Sequence, residues 1–185
     1  MSKINSIFPM KIHPILFALL LSAPAMAQPL PNPRTGAALP TPPAQGNAVG
    51  DFKSGPKTGM AVRDGALSVV SSGNDPIFYS SGLPPMRGPY FIEFRMNSNL
   101  LGPMEIYWKT AKTPDFSGAN KVSVGNEKPF DGKYRMYLID LPESASDPLT
   151  QIRFDPGSGP GEALFEFIRI RSVTGKIWKE WKATN

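Results

Sequence analysis

Cysteine is absent from all 185 residues, and there is one histidine, His13. Without thiols the chain has no disulfide, no thiol nucleophile and no Cys-ligated metal. His13 lies in an N-terminal segment that reads as a removable signal, so what remains also lacks imidazole. A Ser-His-Asp triad, a Cys/His zinc site and a His-held haem are therefore excluded together. Long apolar runs are scarce too. The stretch "ILFALLLSAPAMA" at 15–27 is shorter than the ~20 residues that span a bilayer. It follows Lys11 and ends in Ala25, Met26 and Ala27, the charged, apolar and small-x-small parts of a secretory signal. The signal is most compact if the start is Met10, since residues 1–9 only add a polar leader ending at Pro9. The expectation is a signal peptide over 1–27, an exported product (periplasmic or extracellular), and no transmembrane segment after cleavage. No Cys follows the cleavage site, so there is no lipid anchor on it.

Charge of one sign is also not concentrated. Removing Lys3 and Lys11 from 20 Lys and Arg, against 15 Asp and Glu, lowers the net charge from +5 to +3. That mild excess lacks the basic stripe of a nucleic-acid binder, so no nucleic-acid partner is expected. It is compatible with an anionic glycan. The 158 residues left after residue 27 allow one domain and a tail.

Residues 28–58 are rich in Pro, Gly and Ala, with almost no large apolar side chain before Phe52. Such a segment buries too little surface to offset its ordering entropy, so it reads as a disordered linker. The "LPTPP" at 39–43 reads as spacer before recognition motif. The folded domain is expected over 59–185.

From there short apolar runs alternate with Gly, Pro, Asn and Asp. The runs occupy 66–72, 76–81, 90–96, 104–110, 121–126, 134–141, 150–155, 163–173 and 176–181. Each has strand length and is dense in aromatic and β-branched residues, and none sustains a 3.6-residue period. The pattern predicts an all-β, antiparallel β-sandwich or jelly roll. Alternation places Tyr90, Ile92, Phe94 and Met96 on one face, as it does Met104, Ile106 and Trp108. It groups Tyr134, Met136 and Leu138 with them, and Ile152 and Phe154. The opposite set is Glu93, Arg95, Glu105, Tyr107, Lys109, Arg135, Tyr137 and Arg153. Aromatic rings stack on the C–H faces of sugars, and Arg and carboxylates suit paired hydroxyls. These eight are the candidate carbohydrate-binding residues. The same pattern also fits a solvated face with cross-strand charge pairs. Trp178 and Trp181 belong to a terminal strand or an amphipathic turn packed on the sandwich. The run is too short for strong membrane-surface binding.

"DPGSGPGE", residues 155–162, resembles a phosphate cradle at first sight. It lacks the Gly-x-Gly-x-x-Gly interval, the following helix, the Lys-Ser/Thr of a P-loop and the spacing of an EF-hand. It reads as a turn between two late strands, opened by Asp155 and Pro156.

"GNDPIFYSSGL" (73–83), "YWKT" (107–110), "KYRMYLIDLP" (133–142) and "IRFDPGSGPGEALFEFIRI" (152–170) together resemble a bacterial galactose-binding-like jelly-roll module. Such modules are similar to carbohydrate-binding modules appended to secreted sulfatases, other carbohydrate-active proteins and some glycosyltransferases. The matched features are Asp75-Pro76, Trp108, and Arg153-Phe154-Asp155-Pro156 followed by Pro160-Gly161-Glu162, the last taken as a penultimate hairpin. The likeness covers about 60–182. It implies a non-catalytic exported carbohydrate-binding module, with a glycan or polysaccharide as partner and no catalytic residue. It also implies a possible structural calcium as the one cofactor, with Asp51, Asp64, Glu162 and Glu166 as candidate ligands. This sequence departs from the pattern in carrying no enzyme domain beside the module. An envelope structural or protein-interaction domain is the alternative. An enzyme stands last: a glycoside hydrolase using Glu93 and Glu105, or a lyase with Tyr107 as base and Arg135 neutralising a uronate.

Overall fold

The computed structural model describes residues 45–80, 82–84, 86, 88–125, 132–141 and 147–183. The expected signal peptide and residues 28–44 of the expected linker lie outside these. Twelve strands account for nearly all the regular structure, with one 3-10 turn at Gly118–Asn120. No helix among the described residues is long and apolar enough to cross a membrane.

The strands are β1 (Ala48–Val49), β2 (Phe52–Ser54), β3 (Thr58–Arg63), β4 (Ala66–Ser71), β5 (Phe78–Ser80) and β6 (Tyr90–Ser98). They continue as β7 (Met104–Thr110), β8 (Lys121–Val124), β9 (Arg135–Leu141), β10 (Leu149–Asp155), β11 (Gly161–Ser172) and β12 (Ile177–Lys182). Sheet one has the order β1-β2-β5-β10-β7-β8; sheet two has β3-β4-β11-β6-β9, with β12 also paired to β11. Every pairing is antiparallel. Only β1–β2, β3–β4, β7–β8 and β11–β12 pair as consecutive strands. The other connections pass from sheet to sheet, as a jelly roll requires.

All nine apolar runs become strands. Three further strands, β1 to β3, lie before residue 66, so the expected linker over 28–58 is corrected: residues 48–49 and 52–54, and the start of β3, belong to the sandwich. Phe52 is the reason β2 folds: it is buried at 3 % exposure and packs edge-on against Phe78 and beside Trp181. Asp64 and Gly65 form the two-residue β3–β4 turn, with φ of 50° and 70°, the left-handed pair that an Asp-Gly hairpin supplies.

The core lies between the sheets. Phe52, Phe78 and Phe154 of sheet one meet Phe94 and Phe165 of sheet two in a continuous ring cluster. Alternation along β6, β7 and β10 holds as expected, and Trp108 is a core residue. It holds along β11 only because of a bulge between Phe165 and Phe167. Glu166 is the extra residue, and it lets Phe165, Ile168 and Ile170 all face inward. Along β9 the expected phase is reversed. Met136 and Leu138 are 55 % and 51 % exposed. Tyr137 turns inward and stacks on Phe94 at 4.9 Å between ring centroids. Arg135 shares its register position with Met96, on the core-facing side. Tyr137 and Ile139 pack against the core in place of Met136 and Leu138, and the Tyr137–Phe94 stack favours this phase.

The segment 156–160 is a crossover, since β10 lies in sheet one and β11 in sheet two; the expected hairpin is corrected accordingly. Ser158 and Leu101 exchange backbone hydrogen bonds of 2.7 and 3.0 Å. Gly157, at φ 141°, brings its backbone so close that a Cβ would lie 2.8 Å from Leu100 Cβ and from the Leu101 carbonyl. β12 is a strand packed on the sandwich, tied down by Trp181 Nε1 donating to Asp51 at 3.0 Å.

Candidate functional site

The outer face of sheet one carries a straight row of side chains across five strands. The register pairs Lys53 with Tyr79, Tyr79 with Arg153, Arg153 with Tyr107, and Tyr107 with Lys121. Directly opposed residues on neighbouring antiparallel strands are in contact, and strands lie ~4.8 Å apart. The row therefore runs Lys–Tyr–Arg–Tyr–Lys, perpendicular to the strands, over ~19 Å.

A second row beside it holds Asp155, Glu105 and Ser123 in register. It fixes the first. Arg153 donates to both Asp155 oxygens, Nε to Oδ1 at 2.7 Å and Nη2 to Oδ2 at 2.6 Å, and its guanidinium lies 4.9 Å from the Tyr107 ring centroid. Glu105 accepts from Tyr107 Oη at 2.7 Å, Lys121 Nζ at 2.7 Å and Ser123 Oγ at 3.1 Å. On the other flank Gln151 and Lys109 pair in register, with Lys109 Nζ 4.4 Å from the Phe116 ring centroid.

The electrostatics follow from these contacts. Hydrogen bonds from Lys121 and then Tyr107 hold Glu105 below the usual carboxylate range. Burial, and next the bond to Glu105, raise Tyr107, so its hydroxyl stays protonated and committed, and its half-buried ring lies between the Arg153 guanidinium and Lys121 Nζ, 4.9 and 5.6 Å from the ring centroid. Asp155 is 6 % exposed. Burial outweighs its pairing with Arg153 and pushes it up to about 6.

Of the eight expected residues, Glu105, Tyr107, Lys109 and Arg153 meet on this face. Glu93 and Arg95 do not: they sit on the outer face of sheet two. There Glu93 lies 3.8 Å from Arg169 and 3.4 Å from Arg171, and Arg95 pairs with Glu166. Arg135 and Tyr137 lie on the inward side of β9. The expected single mixed face is thus corrected to two faces and an interior. Glu93 and Glu105 lie on opposite outer faces and cannot flank one glycosidic bond. Tyr107 and Arg135 are on different sheets, so the lyase pair is not assembled either.

Three residues of the row were not among the eight: Lys53, Tyr79 and Lys121. Tyr79 carried a signal, as the polar-side residue between Phe78 and Ser80. Lys121 opened a recognised run. Lys53 had none, because its strand was read as linker.

The four calcium candidates do not form one cluster. Asp51 accepts from Trp181 and pairs with Lys179 at 2.6 Å. Asp64 is a turn residue, Glu162 bonds Arg63 and Ser68, and Glu166 bonds Arg95. No group of three or more metal-ligating side chains occurs among the described residues. Calcium takes six to eight oxygens, so these four side chains, placed as they are, do not fit one calcium site.

No family model matches the chain, and no curated protein matches it. Among solved structures, a mutant of a family 29 carbohydrate-binding module is similar at 18 % identity and a TM-score of 0.47, over 68 % of this chain and 84 % of that one. Another family 29 mutant, complexed with mannohexaose, is similar at 15 % identity and 0.47, over 69 % and 86 %. The C-terminal family 6 module of LamC, a marine laminarinase from Zobellia galactanivorans, is similar at 19 % and 0.41, over 63 % and 89 %. Overlap at this level assigns no function to this chain, whose own residues must carry one.

Proposed function

We propose that the chain is a non-catalytic, exported carbohydrate-binding β-sandwich, and that its glycan lies on the outer face of sheet one. One observation carries this reading: the Lys53–Tyr79–Arg153–Tyr107–Lys121 row, in register across five strands. Two tyrosine rings supply stacking platforms, and three cations supply hydrogen-bond donors between and beyond them. Asp155 and Glu105 hold Arg153, Tyr107 and Lys121 in place, so binding need order few side chains at the centre of the row. The chemistry is that of capture. Tyr107 stays protonated near neutral pH and offers no base. The carboxylate in register with Glu105, Asp155, is buried and clasped by Arg153, while Glu105 takes three protein hydrogen bonds, so neither is free for the acid–base work of a hydrolase. Export rests on the signal-like 1–27 segment, and N-terminal sequencing of the secreted product checks it.

The test is a glycan array followed by affinity electrophoresis. The wild-type chain binds at least one glycan class, and Tyr79→Ala and Tyr107→Ala each weaken it at least about fivefold. Arg135→Ala, off this face, leaves binding unchanged. Folded protein that binds nothing, or tyrosine variants that bind as wild type does, overturns the proposal.

A further inference from the structure

The row alternates in type, and the alternation has a period. Cations stand on β2, β10 and β8; tyrosines stand on β5 and β7, the strands between them. One strand step is ~4.8 Å, close to the length of one pyranose in an extended glycan. Two steps, ~10 Å, approach one disaccharide. A glycan lying along the row therefore sets every second sugar over a tyrosine ring and the intervening ones beside a cation. An anion over an uncovered ring would meet the negative face of its π-system, so a polymer charged at every sugar is mismatched at Tyr79 on β5, whereas the Tyr107 ring already lies under Arg153 and Lys121. A neutral polymer leaves the three cations with hydroxyls alone. The carboxylates nearby do not reverse this. Asp155 is buried and clasped by Arg153, Glu105 takes three hydrogen bonds from protein groups, and exposed Asp75 lies 4.0 Å from Arg153 Nη2, so these three carboxylates stand against four cations, Lys53, Lys109, Lys121 and Arg153. Lys53 and Lys109 make no ion pair with a carboxylate among the described residues, so part of the positive charge is uncompensated.

Resting on the reading of this face as a glycan site, we infer that its ligand is an acidic polysaccharide in which charged and uncharged sugars alternate. Three probes of equal length separate the possibilities by calorimetric titration of the full chain at physiological salt. They are a hyaluronan oligosaccharide (a uronate at every second sugar), a polygalacturonate oligosaccharide (at every sugar) and a cello-oligosaccharide (at none). The alternating probe binds at least about tenfold tighter than either other, as two or three exposed ion contacts of about two- to fivefold each would give. Lys53→Gln lowers its affinity about two- to fivefold and leaves thermal melting unchanged, because Lys53 is exposed and its side chain makes no ion pair among the described residues. Equal or tighter binding of the uniformly charged or the neutral probe overturns the alternation while leaving the glycan site standing. Failure of the alternating probe to bind also overturns it. Failure of all three together with an empty glycan array overturns the glycan reading itself.

Discussion

Replacing Asp155 with Asn tests the electrostatics of the site through stability alone. Asp155 is almost fully buried, and its carboxyl is raised from 3.8 to about 6. A carboxyl raised in the folded state holds its proton more tightly there than in the unfolded chain. Its contribution to stability is full below pH 3.8 and is lost as pH climbs through about 6. The whole of that change corresponds to about 3 kcal/mol, of which about 2 falls between pH 4 and 7. Other carboxylates move the opposite way: Glu105, Asp51 and Glu180 are all held low by cations or hydrogen bonds. The wild-type profile alone therefore hides Asp155, and the difference between wild type and Asp155→Asn exposes it. Asn keeps one acceptor for Arg153 and removes the titration. Urea unfolding of both proteins at pH 4, 5, 6 and 7 should show the wild-type advantage shrinking, or reversing, by about 2 kcal/mol across that range. Parallel profiles would mean that Asp155 titrates alike folded and unfolded, and that the Arg153 clasp compensates its burial in full. A difference that grows with pH would reverse the sign and refute the reasoning.

Phe154→Ala empties the centre of the ring cluster, where Phe154 approaches Phe52, Phe78, Phe94 and Phe165; it should cost about 3–5 kcal/mol in chemical unfolding, and a loss under 1 kcal/mol would deny the cluster its role in joining the sheets. Gly157→Ala and Gly159→Ala both force alanine to positive φ, but only Gly157 faces a collision, with Leu100 and Leu101. Gly159→Ala should cost about 1 kcal/mol and Gly157→Ala clearly more, read from the same unfolding curves; equal losses would remove the close approach as a cause.

Much of the fold was legible because strand identity is written locally. Nine apolar runs with turn residues between them became nine strands, and β7 begins and ends where its run does. What the runs could not convey is non-local. Phe52 looks like an isolated ring in a linker until Phe78 and Trp181 close around it. The Asp64-Gly65 pair is a local signal for the β3–β4 hairpin. The β9 phase failed for a physical reason: Arg135, Tyr137 and Ile139 alternate with Met136, Leu138 and Asp140, and both sets contain apolar side chains. Only the partner ring of Phe94 decides which set turns inward. The candidate site was half legible for the same reason. Alternation tells which residues share a side of one strand, but not which strands share a sheet.

That last distinction separates the two outer faces. On sheet two the polar residues close among themselves: Arg169 bonds Glu180 and lies near Glu93, Arg171 lies near Glu93, and Arg95 bonds Glu166. These are cross-strand and flanking pairs of the kind that solvate an antiparallel sheet, and the side chains left over at its edge are Met136 and Leu138. On sheet one the carboxylates are spent in one row, and the rings and cations stand in the next. Pairing within a row hides charge, whereas pairing between rows leaves one row to face solvent with both its rings and its donors. The arrangement of partners, more than the inventory of residue types, separates Glu93 and Arg95, closed into a solvated surface, from Tyr107 and Arg153, which stand in the row proposed as the glycan face.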